Sequence, residues 1–126
     1  MTTKTPEQLL KDLDSKDVKI RRTAAGHPNA TPEVLLKTMR DEHHFVRRGA
    51  ALNPNATPEV LLKAMRDKNY IVRWGAAVNP NATPQMLMKA LKDKYRVVRS
   101  AAQERLRNDP ILQLQVAALR AQSTAS

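Results

Sequence analysis

Apolar positions between Thr31 and Ala56 fall into two stripes. Val34, Leu35, Leu36 and Met39 recur at the spacing of one helical face, and after the polar residues 42–44 a second stripe follows in Phe45, Val46, Ala50 and Ala51. Thr31 is placed to cap the first helix with its hydroxyl, Pro32 suits the first helical position, and Glu33 complements the positive end of the helix dipole. The spacing predicts a first helix (A) of about ten residues and a second (B) of about nine. Pro54 ends the second, because the residue before a proline, Asn53, is pushed out of helical geometry. Asn53-Pro54-Asn55-Ala56 then reads as the return turn.

The same sentence is written four times. Thr-Pro pairs fall at Thr5-Pro6, Thr31-Pro32, Thr57-Pro58 and Thr83-Pro84, a period of 26 residues, and the second and third copies are identical at 19 of 26 positions. Such a period marks an array in which no unit buries its apolar face alone. Gly49 and Gly75 recur inside helix B, where glycine costs about 1 kcal/mol relative to alanine. Their recurrence points to close helix approach, a bend, or a 3₁₀ segment. No alternating strand pattern occurs, so the expected fold class is all-α. The fourth copy loses the Asn-Pro-Asn-Ala turn. Asn108-Asp109-Pro110 restarts a helix carrying Ile111, Leu112, Leu114, Val116 and Leu119, with Gln113, Gln115 and Arg120 outward. This reads as a capping helix over residues 109–122 that covers the open end, followed by a disordered tail at 123–126. The expected organisation is one domain, residues 1–122, with repeats at about 5–30, 31–56, 57–82 and 83–108.

Composition narrows the chemistry. The chain has 126 residues and no cysteine, which excludes disulfides, thiolate metal sites and cysteine nucleophiles. Four aromatic residues are too few for an aromatic core. No membrane-spanning or signal-type stretch is present, so a cytoplasmic protein without membrane contact, monomeric, is expected. The net charge of +10 favours anionic partners without choosing among nucleic acid, phosphates and acidic proteins.

The run Val-Arg-x-x-Ala-Ala followed by Asn-Pro-Asn-Ala-Thr-Pro-Glu-Val-Leu-Leu-Lys-Ala-Met-x-Asp resembles the leucine-rich repeat variant family over about residues 5–107. It is also similar to a compact HEAT repeat, whose second helix carries a related signature. The resemblance implies a right-handed superhelical solenoid, here of four 26-residue helical repeats plus a C-terminal capping helix, with helix B lining a concave face. It implies little about function, since such folds host unrelated binding roles. Some members of the family carry a cysteine-bound iron–sulfur cluster; this chain has no cysteine to hold one.

Polar residues sort by whether they keep register. Arg21, Arg47, Arg73 and Arg99 keep it, as do Asp41, Asp67 and Asp93, six residues earlier in the last three copies. In HEAT-like stacks an Asp and an Arg at such positions bridge successive repeats, so the resemblance implies a structural ladder here, favoured over ligand contact because bidentate Arg–carboxylate pairs are good clamps between elements. Asn53, Asn79 and, in the equivalent place, His27 read as turn residues bonding backbone. Lys37, Arg40, Lys63, Arg66, Lys89 and Lys92 form a second basic stripe, which serves equally as a binding surface or as the ordinary solvated outside of a helix, with Glu33–Lys37 and Glu59–Lys63 as i,i+4 pairs.

The register-breaking residues Arg22, His44, Arg48, Tyr70, Trp74 and Arg96 make a strip along helix B. An exposed Trp74 beside arginines would anchor a partner or a base; the alternative is local packing against arginine side chains. Asp41-Glu42-His43-His44 has metal-ligand residue types, but adjacent residues rarely converge on one ion. HEAT-like DNA glycosylases exist, yet no carboxylate stands apart from the repeats, and no catalytic residue, cofactor or metal site is expected. The expected function is a non-enzymatic adaptor holding an acidic protein or peptide. The alternative is a nucleic-acid binder that reads phosphates with the Lys and Arg strips and stacks bases on Trp74 or Tyr70.

Modularity makes a direct prediction. Deleting residues 57–82 should leave a shorter protein with an undiminished helical signature in circular dichroism, because nearest-neighbour interfaces re-form. An unfolded product would refute independent units.

Overall fold

In the computed structural model, which describes residues 3–125, nine helices and no strand are present among the described residues: α1 Pro6–Asp12, α2 Val18–Ala25, α3 Pro32–Thr38, α4 His44–Leu52, α5 Pro58–Met65, α6 Tyr70–Val78, α7 Pro84–Leu91, α8 Arg96–Arg107 and α9 Pro110–Ala125. The chain is all-α. The Thr-Pro pairs start α1, α3, α5 and α7. Each proline takes the first helical turn, where its missing N–H costs nothing, and each threonine hydroxyl accepts the N–H three residues on. Thr5 adds a full capping box, its own N–H donating to Gln8 Oε1 at 2.8 Å. These A helices have seven or eight residues rather than ten.

The B helices α2, α4, α6 and α8 are α-helical throughout, with no 3₁₀ segment. Their caps differ from copy to copy: Asp17, the His43 ring nitrogen and Asn69 each accept the N–H two residues on, whereas Tyr95 offers no side-chain cap.

The core repeats as the sequence does. Leu9, Leu35, Leu61 and Leu87 share one register position and are fully buried, with Val46, Val72 and Val98 in another. Every helix packs against the next helix and the next but one, and against no other. Neighbouring B helices in the middle of the chain touch far more extensively than neighbouring A helices. Glycine permits this. A Cβ on Gly49 would sit 2.9 Å from the Ala25 Cβ, and one on Gly75 3.0 Å from the Ala51 Cβ. Of the readings open for these glycines, close approach is the one observed.

That approach brings the turn asparagines within reach of the previous copy. Asn79 Nδ2 donates to the carbonyls of Ala51 (2.8 Å) and Asn53 (3.0 Å), while its Oδ1 accepts the N–H of Asn81. Asn53 does the same with Ala25, His27 and Asn55. Asn55 and Asn81 reach carbonyls of the preceding turn as well. These asparagines were expected to serve their own turns; they also join copies. In the fourth copy Arg105 stands where the asparagine would be, and its Nη1 donates to Asn79 O at 2.7 Å.

The last helix departs from expectation. Asp109-Pro110 lies 26 residues after Thr83-Pro84, so α9 is a fifth A helix in register; Asp109 caps it, and it packs on α7 and α8. Leu112 and Val116 are buried, but Ile111 and Leu114 are 70% and 72% exposed. Helix α9 therefore packs on the α7–α8 pair and leaves part of its apolar surface uncovered. It also continues to Ala125, where a disordered tail was expected from Ser123. Met1, Thr2 and Ser126, at the margins of the expected domain and tail, lie outside the described residues. No described helix is long and apolar enough to cross a membrane.

Gly49→Ala should destabilise the protein. In an exposed helix the change would gain about 1 kcal/mol. Here the new Cβ meets a backbone-fixed methyl, an overpacking cost on the order of 1–3 kcal/mol. A raised melting temperature would show that the B helices have room to part.

Candidate binding surface and its supporting ladder

The register arginines and aspartates meet across copies. Nε of Arg21, Arg47 and Arg73 donates to the carboxylates of Asp41 (2.8 Å), Asp67 (2.8 Å) and Asp93 (2.7 Å), each in the following copy. Arg47 and Arg73 add a second bond from Nη2. Each arginine also donates Nη1 to a backbone carbonyl of its own copy: Ser15, Asp41, Asp67 and, for Arg99, Asp93. The aspartates in turn accept the N–H two residues on, at His43, Asn69 and Tyr95. One rung thus ties a turn, a helix and the next turn together. Arg99 has the backbone anchor but no aspartate beyond it.

Burial raises the pKa of the Asp93 carboxyl, but the hydrogen bond from Arg73, the N–H of Tyr95 and the charges of Arg73 and Arg99 outweigh it. They hold the group below its ordinary 3.8.

The register-breaking strip divides in two. Arg22 and Arg48 lie over the Phe45 ring, at 5.3 and 4.7 Å from its centre, and His43 and His44 pack on the same ring. Arg48 Nε is buried without a hydrogen-bond partner, so the ring face compensates the desolvated cation there. Phe45, outside the register-breaking set, is thus the centre of this half. Arg22, Phe45 and Arg48 line a shallow groove of about 430 Å³ together with Lys19, Thr23, Gly49 and Leu52.

Tyr70 turns toward the next copy and stacks on Tyr95 at 4.5 Å, nearly parallel. One of its faces is therefore taken. Trp74 is half-buried and packed against the apolar core, not an exposed anchor. Arg96 is exposed.

The second stripe is uneven too. Lys37 is bonded to Asp14 (2.9 Å) and to the Leu10 carbonyl of the first copy, rather than to Glu33. Arg40, Lys63, Arg66, Lys89 and Lys92 are exposed and make no ion pair among the described residues. Arg66, Lys89 and Lys92, with Lys68 and Lys94, surround a cleft of about 560 Å³ between the third and fourth copies. Lys68 and Lys94 sit in the A–B turn at one register position, which Lys16 shares and only Glu42 breaks, so a search of the helix faces does not find them. Among the described residues no cluster of His, Cys, Asp or Glu is arranged to hold a metal ion. Asp41, His43 and His44 serve instead in a rung, a helix cap and a ring stack.

Comparisons with protein-family models, with curated proteins and with solved structures found no match.

Arg73→Ala should cost on the order of 1–3 kcal/mol by stranding a shielded carboxylate, whereas Lys63→Ala should stay within about 0.5 kcal/mol. The rung also has an acid limit. Because the folded pKa of Asp93 is depressed, its contribution is complete above the unfolded value near 3.8 and is lost as pH falls through the folded pKa. The stability gap between wild type and Asp93→Asn should therefore be widest above about pH 5 and close in stronger acid. Denaturant titration across pH checks both.

Proposed function

We propose that this chain is a non-enzymatic binding module, a right-handed superhelical solenoid of the leucine-rich repeat variant kind, which holds an acidic protein or peptide along its B helices. The closer packing of B helices than of A helices supports a curvature with the B side concave. The observation that carries the partner assignment is the groove at Phe45. Arg22 and Arg48 are pre-positioned there over a ring, with Lys19 beside them and Leu52 exposed at 37%. A groove that pairs cations with apolar surface suits an acidic segment that also carries a hydrophobic side chain. The carboxylates Asp41, Asp67 and Asp93 are engaged in rungs, which leaves them unsuited to acid–base work.

The cleft bordered by Arg66, Lys68, Lys89, Lys92 and Lys94 favours a second reading, a nucleic-acid backbone held by its phosphates. Base stacking in that reading would use the free face of Tyr70, not Trp74.

Charge reversal separates the readings. Arg48→Glu should weaken a labelled glutamate-rich peptide at least about tenfold, as expected for a hot-spot cation, and leave a labelled single-stranded oligonucleotide little affected. A Lys89→Glu, Lys92→Glu double variant should do the reverse. Contact with Z phosphates would give a log–log salt slope of about −0.7Z. Loss of oligonucleotide binding alone, with the peptide never bound, would overturn the acidic-partner reading in favour of nucleic acid.

A further inference from the structure

Three rungs of the arginine ladder end on a carboxylate, and the fourth does not. Arg99 is anchored as its predecessors are: Nη1 donates to Asp93 O at 2.7 Å, matching Arg47 on Asp41 O and Arg73 on Asp67 O, both also at 2.7 Å. The carboxylate of Asp93 is bonded by Arg73, so Arg99 feels its charge without a hydrogen bond to it. Nε and Nη2 of Arg99, the two nitrogens that hold the aspartate in the rungs of Arg47 and Arg73, bond nothing among the described residues and remain in reach of solvent. Leu119 stands 26 residues after Asp93 and cannot supply an acceptor. A half-buried guanidinium is therefore left with its paired edge turned outward, in a geometry that the chain itself fills three times with one ligand type.

We propose that Arg99 is a carboxylate-docking site, taking an aspartate side chain from an acidic segment of another protein at the C-terminal end of the ladder. The preference for a carboxylate comes from the internal rungs, where the planar fork meets the two oxygens side by side. A foreign protein is favoured over a second copy of this chain by what the opposite end of the ladder carries. There Ser15 holds the register place of Asp41, so it brings no carboxylate to a fourth rung. Thr23 holds the place of Gly49, where even a Cβ would come within 2.9 Å of the neighbouring Ala25 methyl. The exposed side of α8 agrees, since Ser100, Gln103 and Glu104 replace the Trp74, Ala77 and Val78 of the copy before. These substitutions suit a wet, reversible contact rather than a continuation of the apolar core. This site stands apart from the groove at Phe45, and either can fail without the other.

The test follows the Arg99 Nε–H resonance of the full isotope-labelled chain, assigned by through-bond correlation to the Arg99 backbone. The chain is titrated with a short blocked peptide of alternating aspartate and alanine, and with the asparagine counterpart as control. The resonance should move saturably toward those of Arg47 and Arg73 with the aspartate peptide only. Arg99→Gln should weaken that peptide at least about fivefold, and Arg99→Lys should restore only part of the affinity, since charge returns without the fork. Arg48→Glu should leave the Arg99 shift in place, which separates this site from the B-face groove. The wild-type shift needs no variant to fold. An Arg99 resonance that stays still while the peptide saturates the protein overturns the proposal, as does full affinity in Arg99→Gln. Concentration-dependent self-association abolished by Arg99→Gln would also overturn it, by making a second copy the occupant.

Discussion

The distance between one B helix and the next governs the rest of this structure. At Gly49 and Gly75 the following helix lies so close that a single added carbon would meet a methyl group of the previous copy at 2.9 or 3.0 Å. Glycine in a helix is unfavourable in isolation, and it is kept where backbone approach is worth more than propensity. The close approach is also what lets a short amide side chain reach across. Asn53 and Asn79 each bond two carbonyls of the preceding copy while still closing their own turns, and both are almost completely buried. A wider spacing would strand those amides, at a cost on the order of 1–3 kcal/mol for each buried group.

The arginine rungs complete the same joint from the other end of the helix. Each links a turn to the helix of its own copy and to the aspartate of the next. Asparagine at one end and arginine at the other thus fix the position of each copy against its neighbour, while Leu and Val columns supply the burial. Direct packing goes no further than the next helix but one. Such a chain is held together by a sum of neighbouring joints, and its ends are where the sum stops. The end residues reflect this: Ser15 and Thr23 at one end, Ser100, Gln103, Glu104 and Arg105 at the other.

Once the ladder has taken its aspartates, the charge that remains is unevenly placed. Asp41, Asp67 and Asp93 are shielded in rungs, so the cations outside the ladder meet few acidic neighbours. They gather in two settings of different character. At Phe45 the guanidinium groups lie over a ring beside exposed apolar surface, whereas between the third and fourth copies ammonium groups and Arg66 surround an open cleft. The first setting is shaped for a particular side chain, the second for a density of negative charge. The first arises from residues that vary between otherwise matching copies, the second largely from cations that keep register, with Lys89 matched by Lys37 and Lys63 and Arg66 by Arg40 and Lys92.

Periodicity marked the helices, the starts of the A helices and the register that arginine and aspartate share. Thr-Pro caps act within a single turn, and a residue repeated every 26 positions must face the same neighbour in every copy. The register of Asp109-Pro110 was legible too, as a fifth A-helix start hidden by the lost Asn-Pro-Asn-Ala turn. What the sequence could not decide is which of several partners a side chain takes when distance, not spacing, chooses. Lys37 has Glu33 at favourable helical spacing but pairs with Asp14 in the neighbouring copy. Trp74 breaks the pattern as an exposed anchor would, yet half of it is drawn against the core, while Phe45, an ordinary apolar position by pattern, gathers two arginines. Tyr70 finds Tyr95 in the next copy, 25 residues away in a register of 26. These choices depend on the separation and rotation of adjacent helices, which are set jointly by all the joints along the chain and are therefore written at no single position.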